Sequence, residues 1–432
     1  MLTKEENDLL TRTGPGTPMG ELFRRFWLPA LLSTELPEPD CPPVKLMILS
    51  EDLVAFRDSE GRVGVLDRYC PHRGSSLFWG RNEESGLRCV YHGWKFDVAG
   101  SCVDMPNEPP ESRFKEKIRT TAYPTEERGG VIWVYMGPRD VRHAMPELEW
   151  TLVPEDHRYV TKRTQACNYL QNVEGEVDSS HVSFLHSRRQ PSAALKASED
   201  LNPLAPENLG YVAIDKSPVF KVKDTDYGLL IGARRNAGDD SYYWRLTQFL
   251  MPSYTMIPSD PDMSISWTGA TPVDDEHMIG FTATWRPDCP LTAEDIAQIE
   301  SWRGIHSEVD PRTFRPIANK DNNYLIDRRQ QGSGESFTGI RGIREQDMAV
   351  QEDQWGPVTR REREHLGTTD LAVIAMRRVM LREAQRLQQG IEPREAANGA
   401  AYRVRSLAHV LKREVDWQDG ARELLQAKVG AR

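Results

Sequence analysis

The sequence predicts an α+β protein, in which a small antiparallel β domain precedes a larger unit of helices and antiparallel sheet. Short β-type runs such as KLMILS, LVAF, VGVLD and GVIWVYM lie between residues 45 and 138, separated by Gly, Asp, Asn and Pro. Beyond residue 145 the pattern changes to a helix over 168–186, strand-like segments and a helical tail. These two observations predict two structural units of different type.

The N-terminal helix-prone segment and a proline-rich stretch mark the boundaries between the predicted parts of the chain. The first segment is helix-prone around GELFRRFW, and a proline-rich stretch over residues 37–44 marks its end. We therefore predict three parts: 1–40, a helical segment that packs on the large domain; 41–144, the β domain; and 145–432, the large domain.

The large domain carries both strand and helix signals. Strand-like pieces are predicted through 217–232 and 241–258, and a further strand is predicted over 278–285. The tail 370–387 places apolar residues at helical spacing with Arg and Glu between them, and Asp370 is its predicted N-cap.

The charge and the cysteine content exclude several classes of protein. The 432 residues carry 55 Lys and Arg against 65 Asp and Glu, a net charge of −10, so binding to nucleic acid is not expected. The N-terminus is acidic and polar, unlike an export signal, and the longest apolar stretch, near residues 131–136, is far shorter than the roughly 20 residues of a membrane span. Six scattered cysteines are too few for a disulfide scaffold, so a cytoplasmic protein is expected.

Four potential metal ligands occur as two matched pairs in RYCPHRG and CVYHGWKFD. Cys70 and His72 are followed, after 16 residues, by Cys89 and His92. Two thiolates and two imidazoles suit either tetrahedral zinc or a [2Fe-2S] cluster with the cysteines on one iron and the histidines on the other. Zinc fingers usually place two Cys before two His, whereas each loop here supplies one of each, which favours the cluster. Structural zinc, or thiols and histidines without a metal, remain the alternatives.

A second constellation, NYLQNVEGEVDSSHVSFLH, places Glu174, Asp178, His181 and His186 within 13 residues. Asp178 and His181 are three apart, so on a helix the carboxylate can orient a metal-bound imidazole. His181 and His186 are about 140° apart on an ideal helix, so both reach one metal only if the helix ends or bulges between them, and we expect a distortion near residues 183–185. A carboxylate would complete the two-histidine site that binds Fe(II) and leaves positions open. Glu174 is expected to support this site or the fold.

These motifs resemble the Rieske family, in which Cys, any residue and His are followed by a spacer and then by Cys, two residues and His. Cys70, His72, Cys89 and His92 match that pattern position by position. The opening GPGTPMGELFRRFWLPA, the iron-binding segment and the late QWGPVTRREREHL extend the similarity to Rieske non-haem iron aromatic-ring-hydroxylating oxygenases of the phthalate dioxygenase and chlorobenzoate dioxygenase type. The resemblance implies a Rieske [2Fe-2S] domain and a helix-grip-like catalytic domain around a mononuclear Fe(II).

The resemblance also implies the carboxylate ligand of the iron. In the family this ligand lies in a late segment, where Asp is followed by four residues and Glu. Asp347 and Glu352 keep that spacing, and Asp353 is the second choice. Without the resemblance, a late Asp is an ordinary solvated residue.

Family members form homotrimers or hexamers of stacked trimers, in which the cluster of one subunit serves the iron of the next. The resemblance therefore implies that Asp178 is a catalytic residue, which joins His181 to His72 or His92 of the partner subunit.

The implied function is that of the oxygenase component of a dioxygenase, which cis-dihydroxylates an aromatic carboxylate such as phthalate or a halogenated benzoate with O2. The chain has no GxGxxG fingerprint after a strand, so a separate flavin or iron-sulfur reductase that uses NAD(P)H is expected to supply electrons. The alternatives are a monooxygenase or O-demethylase of an aromatic acid, a Rieske electron carrier, and a zinc-stabilised binding protein.

A carboxylate in an apolar pocket requires a fixed cation, and the guanidinium fork of arginine suits it. Arg234, Arg235 and Arg245 lie on strand-like segments after the iron-binding segment. Arg245, in YYWRLTQFL, has apolar and aromatic neighbours and is the preferred substrate-binding residue, although a surface position or a structural ion pair is an equal alternative.

Overall fold

Two helices and a strand open the chain. The computed structural model describes residues 2–187, 206–261 and 263–428. The first elements are α1 Lys4–Thr11, α2 Pro18–Phe23 and β1 Trp27–Leu32. Thr3 caps α1 in a capping box with Glu6, and Thr17 caps α2, whose first residue is Pro18. The helix predicted around GELFRRFW ends at Phe23, because the buried residues that follow pair as β1 with a later strand.

The β domain is built from short antiparallel strands. They are β2 Val44–Ile48, β3 Glu51–Arg57, β4 Val63–Asp67, β5 Arg81–Glu83, β6 Gly86–Arg88, β7 Lys95–Phe96, β8 Cys102–Asp104, β9 Ala122–Tyr123, β10 Thr125–Arg128 and β11 Val131–Tyr135. They form sheets of order β2-β3-β4-β9 and β5-β6-β7-β8, and a third sheet of β1, β11 and β10. Arg81 pairs with Arg88, and Arg88 with Lys95. The two Cys/His loops, which precede β5 and follow β6, therefore leave the second sheet at the same end.

The large domain combines helices with one antiparallel sheet. Its helices are α3 Glu149–Leu152, α4 Tyr169–Val177, α5 Pro206–Ile214, α6 Ala293–Glu300, α7 Arg328–Ser333, α8 Ile343–Gln351, α9 Leu371–Gln388, α10 Arg394–Ala397 and α11 Trp417–Ala421. Its strands are β12 Arg158–Gln165, β13 Val219–Asp224, β14 Gly228–Asn236, β15 Ser241–Leu250, β16 Tyr254–Ile257, β17 Ile265–Pro272, β18 Met278–Trp285 and β19 Leu407–Lys412. The strand order is β12-β18-β17-β16-β15-β14-β13, and β19 also pairs with β15. Among the described helices, none combines the length and apolar character that a membrane span needs.

The helices α4 and α8 contact each other. The candidate ligand Asp347 lies on α8, and α4 leads into the segment that holds His181 and His186. Leu170, Val173 and Val177 form one apolar face of α4, which is buried in the main core. Gln171 donates to the backbone carbonyl of Gln351 at 2.6 Å, which ties α4 to the end of α8. The relative position of the two helices is thus set by packing and by a buried hydrogen bond.

A cluster of buried tryptophans joins the β domain to the large domain. The ring centroid of Trp133, on β11, lies 5.9 Å from that of Trp150 and 6.2 Å from that of Trp267, on β17. Thr271 donates to the carbonyl of Pro29 at 2.8 Å, which links β17 to β1. Because each buried aromatic side chain removes roughly 150–250 Å² from water, this contact holds the two domains in one relative position.

The architecture confirms the predicted α+β class, with some corrections of detail. The strand 278–285 is confirmed as β18, and the strand-like pieces in 217–232 and 241–258 are confirmed as β13 with β14 and as β15 with β16, each pair joined by a turn. The tail helix is confirmed as α9, and Asp370 occupies its N-cap position, but the Asp370 carboxylate accepts from the Gly367 amide at 2.6 Å rather than from the first turn of the helix.

Candidate functional site

The two Cys/His loops have the same backbone geometry. In each loop a glycine amide donates to the carbonyl of the cysteine, over 2.9 Å from Gly74 to Cys70 and 3.0 Å from Gly93 to Cys89. The two glycines have φ angles of 70° and 80°, which residues with a side chain rarely adopt. The sequence therefore folds into two matched turns.

These turns bring the predicted ligands together at the end of the sheet. The rings of His72 and His92 lie 4.5 Å apart between centroids, and both cysteines are buried, with 2% of their surface exposed. Burial raises the pKa of the Cys70 thiol to about 12, so a metal centre is needed to hold it as a thiolate. Trp94 stacks on His72, with 4.3 Å between ring centroids, and covers that side of the loops.

In the large domain His181, His186 and Asp347 converge. The Nε2 atoms of the histidines are 3.1 Å apart, and Asp347 Oδ1 lies 3.2 Å from Nε2 of His186 and 3.7 Å from Nε2 of His181. Ligand atoms of all three residues lie within 4.8 Å of one another. Two imidazoles and one carboxylate, so arranged, form the donor set of a non-haem Fe(II) site with open positions.

The ligand atoms of the Cys/His loops are spread more widely than those of the trio, which is unfavourable for a single zinc ion. Within the described ranges, the loop residues are not a group whose ligand atoms all lie within 4.8 Å of one another, as the ligands of a single ion would. A cluster with two irons needs the wider spread, because its cysteines and histidines bind different irons. The loops therefore fit a [2Fe-2S] cluster better than one zinc ion.

The chain reaches the trio by ending a helix rather than by distorting one. The helix α4 ends at Val177, where Asp178 Oδ1 accepts from the Ser180 amide at 2.6 Å and competes with a further helical turn. A 3-10 turn, His181–Ser183, follows. The prediction of one helix over 168–186 with a distortion near 183–185 is therefore wrong. The expectation that Asp178 and His181 share a face of that helix is also wrong, because both residues follow its end.

Each histidine has an acceptor beside Nδ1, which leaves Nε2 for a metal. Asp178 Oδ2 lies 3.4 Å from Nδ1 of His181, and Gln346 Oε1 lies 2.7 Å from Nδ1 of His186. The amide of Gln346 is itself held, because its Nε2 donates to the carbonyl of Ile340 at 2.8 Å. Such partners fix the tautomer and the ring orientation of a metal-binding histidine.

The charges of the trio also suit a metal. Burial alone would raise the pKa of Asp347, but the two histidines and Arg344 outweigh it and lower the pKa to about 2. Burial would lower the pKa of His181, but its hydrogen bond with Asp178 and the charges of the nearby carboxylates together outweigh that effect, so the pKa is raised overall. Asp347 is therefore ionised at neutral pH, which is the state that binds metal.

Two family models match the chain. The Rieske [2Fe-2S] domain matches residues 26–124, and a model described as LigXa C-terminal domain like matches residues 134–429, more than half of the chain. The chain belongs to the Rieske non-haem iron oxygenases. The predicted cluster and mononuclear iron are the cofactors of this family, and the matched loops and the buried trio fit them. The electron-carrier and zinc-protein alternatives are wrong.

Relatives of this Rieske oxygenase extend over almost its whole length. The 3-chlorobenzoate-3,4-dioxygenase oxygenase subunit of Comamonas testosteroni is 40% identical, over 99% of each chain. The phthalate 4,5-dioxygenase oxygenase subunit of Pseudomonas putida is also 40% identical, over 97% of this chain and 94% of its own. The crystal structure of dicamba monooxygenase bound to 3,6 dichlorosalicylic acid shares the fold, with a TM-score of 0.58, 19% identity and coverage of 85% of this chain and 98% of that chain.

A cavity of about 110 Å³ in the large domain of this oxygenase reaches α8, the helix that carries Asp347. Ile257 and Ile305 line it, as does Ile343, which lies one helical turn before Asp347 on α8. Arg245, on β15, also lines the cavity; it is 5% exposed, and its Nε has no hydrogen-bond partner among the described residues. A buried guanidinium with a free donor is suited to bind a carboxylate.

The other two arginine candidates do not line the cavity. Arg234 lies over the ring of Tyr242, 4.2 Å from its centroid. Arg235 donates to the carbonyl of Ser179 at 2.6 Å and so holds the turn that leads to His181.

Two carboxylates singled out from the sequence serve the fold or the surface. Glu174 accepts from Arg361 at 2.7 Å and from Arg377 at 2.6 Å, which joins α4 to later segments. Asp353, the second choice for the iron, has a side chain that is 79% exposed and lies 3.3 Å from Lys320.

Three residues that support the site were not predicted from the sequence. Gln346 and Arg344, on α8, lie beside the ligands, and no motif indicated them. His306 lines the cavity, and its ring nitrogens lie 2.7 Å from the Thr161 hydroxyl and 2.9 Å from that of Thr284. Burial, with nearby arginines, lowers the pKa of His306 to about 3, so it is neutral at physiological pH. A single histidine outside any pattern gives no signal in the sequence.

Gly93→Ala is expected to loosen the cluster loops more than Gly74→Ala does. Both positions have positive φ, which costs a side chain roughly 1–2 kcal/mol, but a Cβ at Gly93 would lie 2.5 Å from Cγ of Pro106. At Gly74 no atom lies within 4 Å of the added Cβ. Overpacking adds roughly 1–3 kcal/mol at Gly93. Thermal unfolding followed by cluster absorbance measures both variants, and equal destabilisation would contradict the Pro106 contact.

Proposed function

We propose that this chain is the oxygenase component of a Rieske dioxygenase that cis-dihydroxylates an aromatic carboxylate, of the phthalate or halogenated benzoate type, with O2. The names of the two relatives at 40% identity support the reaction and the substrate class. The observation that carries the proposal is the position of Arg245, a buried guanidinium that lines a largely apolar cavity reaching α8, the helix of Asp347.

The roles of the side chains follow from their contacts. Cluster ligands are Cys70, His72, Cys89 and His92, and iron ligands are His181, His186 and Asp347. When bound, the cluster supplies electrons and the iron activates dioxygen. Arg245 binds the substrate carboxylate, and the isoleucines of the cavity pack on the ring and exclude water from it.

The proposal includes an assembly of subunits and a partner protein. The Asp178 side chain is 23% exposed, so a neighbouring protomer can reach it while it contacts His181. We place it between His181 and His72 or His92 of the partner subunit, in a homotrimer or a hexamer of stacked trimers. A flavin or iron-sulfur reductase that uses NAD(P)H supplies electrons. We also propose that the chain divides into the helical segment 1–40, the β domain 41–144 and the catalytic domain 145–432. A cytoplasmic location is the last part of the proposal.

Product analysis tests the reaction. The purified oxygenase, a generic reductase and NADH are incubated under labelled dioxygen with a panel of benzenes that carry one or two carboxylates. The expected product is a cis-diol in which both oxygen atoms carry the label. Incorporation of one labelled atom, or loss of a methyl group from a methoxybenzoate, would instead establish the monooxygenase or O-demethylase alternative.

Arg245→Ala is expected to weaken binding of the acid substrate by about 2 kcal/mol or more, roughly 30-fold in Kd, because the carboxylate loses a desolvated partner. Calorimetric titration measures the affinity, and cluster and iron contents are expected to stay unchanged. Arg234→Ala is the matched control, since Arg234 lies on the neighbouring strand but outside the cavity. Wild-type affinity in Arg245→Ala would remove this residue from the substrate site.

Asp178→Asn is expected to leave both metal centres loaded and to lower turnover by about 10- to 100-fold or more, because the amide no longer orients His181 or joins it to the cluster of the next subunit. Iron and sulfide analysis gives the loading, and a single-turnover assay gives the rate. Asp353→Asn changes an exposed carboxylate and serves as the control. Full turnover in Asp178→Asn would refute its proposed role.

A further inference from the structure

Arg344 is a completely buried cation beside the iron trio, with no role in the function proposed above. It lies on α8, three residues before Asp347, and its side chain has no exposed surface. Its Nη1 donates to Glu176 of α4, and its Nε donates to the carbonyl of Ile305 at 3.3 Å. The same Nη1 lies 3.8 Å from Oδ2 of Asp347, close enough for an ion pair. The Arg344 guanidinium therefore contacts Glu176 on α4, the backbone of Ile305 and the candidate ligand Asp347.

The two oxygens of Asp347 have different surroundings. Oδ1 faces the histidines, 3.2 Å from Nε2 of His186 and 3.7 Å from Nε2 of His181. Oδ2 faces Arg344 instead. The ion pair draws Oδ2 towards the buried guanidinium, and Oδ1 is therefore the oxygen that faces the two histidines.

Glu176 removes the electrostatic penalty that an isolated arginine would impose on a cation site. Its side chain is 6% exposed and forms a buried pair with Arg344. Asn172, one helical turn earlier on α4, donates to Glu176 at 3.5 Å and accepts from Arg163 at 2.8 Å. The pair is thus neutral overall and is held from two helices and a strand, as a fixed support requires.

We propose that Arg344 and Glu176 form a neutral positioning pair, which holds Oδ2 of Asp347 so that only Oδ1 faces the iron. Arg344 touches neither substrate nor iron in this proposal and acts through Asp347. The inference rests on the proposed role of Asp347 as an iron ligand and adds how that ligand is oriented. It predicts that the pair contributes to iron affinity, beyond any contribution to folding.

The test compares two double variants that keep the net charge of the protein. Arg344→Gln with Glu176→Gln removes the pair beside Asp347. Lys162→Gln with Glu35→Gln removes a pair that is also buried and also neutral overall, but that has no contact with α4 or the trio among the described residues. In each protein the mononuclear iron is removed with a chelator while the cluster stays intact, and Fe(II) is titrated back anaerobically.

We expect the Kd for Fe(II) to rise by about 10- to 100-fold in the first double variant and to stay at the wild-type value in the second. The increase in Tm on addition of Fe(II) is expected to shrink only in the first, because that increase depends on affinity rather than on the stability of the iron-free protein. Wild-type affinity in the first variant, or equal weakening in both, would overturn the proposal.

Two further variants keep the test decisive. If the first double variant does not fold, Arg344→Lys retains the charge but loses the fork, so it is expected to weaken iron binding by a smaller factor; wild-type affinity there would overturn the proposal. Asp347→Asn distinguishes a failure of the ligand assignment from a failure of the positioning pair. If it binds Fe(II) with wild-type affinity, the ligand assignment itself fails, whereas loss of iron in Asp347→Asn with normal binding in the Arg344 variants refutes the positioning pair alone.

Discussion

The site depends on bringing one ionised carboxylate from α8 to two imidazoles from the turn after α4, inside the protein. A buried charge is costly unless it is paired, and here the histidines and Arg344 compensate Asp347. The packing of α4 on α8 makes this possible, and Glu174, held by Arg361 and Arg377, ties α4 to the C-terminal half. A shift between these helices would separate the ligands.

The two metal centres are built on different principles. The cluster loops are local: each is a tight turn closed by a hydrogen bond from a glycine amide to a cysteine carbonyl, and both leave one end of a small sheet. The iron trio is assembled from segments about 160 residues apart, and each histidine has its own hydrogen-bond partner. Local turns tolerate changes elsewhere in the fold, whereas the trio depends on the tertiary packing of the whole domain.

An unpaired donor on a buried arginine is unfavourable in the free protein, because it loses water without gaining a partner. The unpaired Nε of Arg245 therefore costs free energy in the protein without ligand, and a carboxylate that accepts a hydrogen bond from it would recover that free energy. Arg235 shows the contrasting case on the adjacent strand. Its donors are used by Asp215 and Ser179, and it stabilises the turn that leads to His181 instead.

The sequence by itself determined the family and the α+β class, and it indicated the two Cys/His loops and the pair His181 and His186 as candidate ligands, because these rest on residue types at short, fixed spacings. It misplaced the end of α4, since the Asp178 side chain competes with the helix through a bond to Ser180 that apolar periodicity does not report. Only the tertiary structure decided that Asp347 rather than the exposed Asp353 meets the histidines, and that Gln346 and Arg344 support them. Contacts of that kind depend on how α4 and α8 pack, and no local pattern records the packing of segments far apart in the chain.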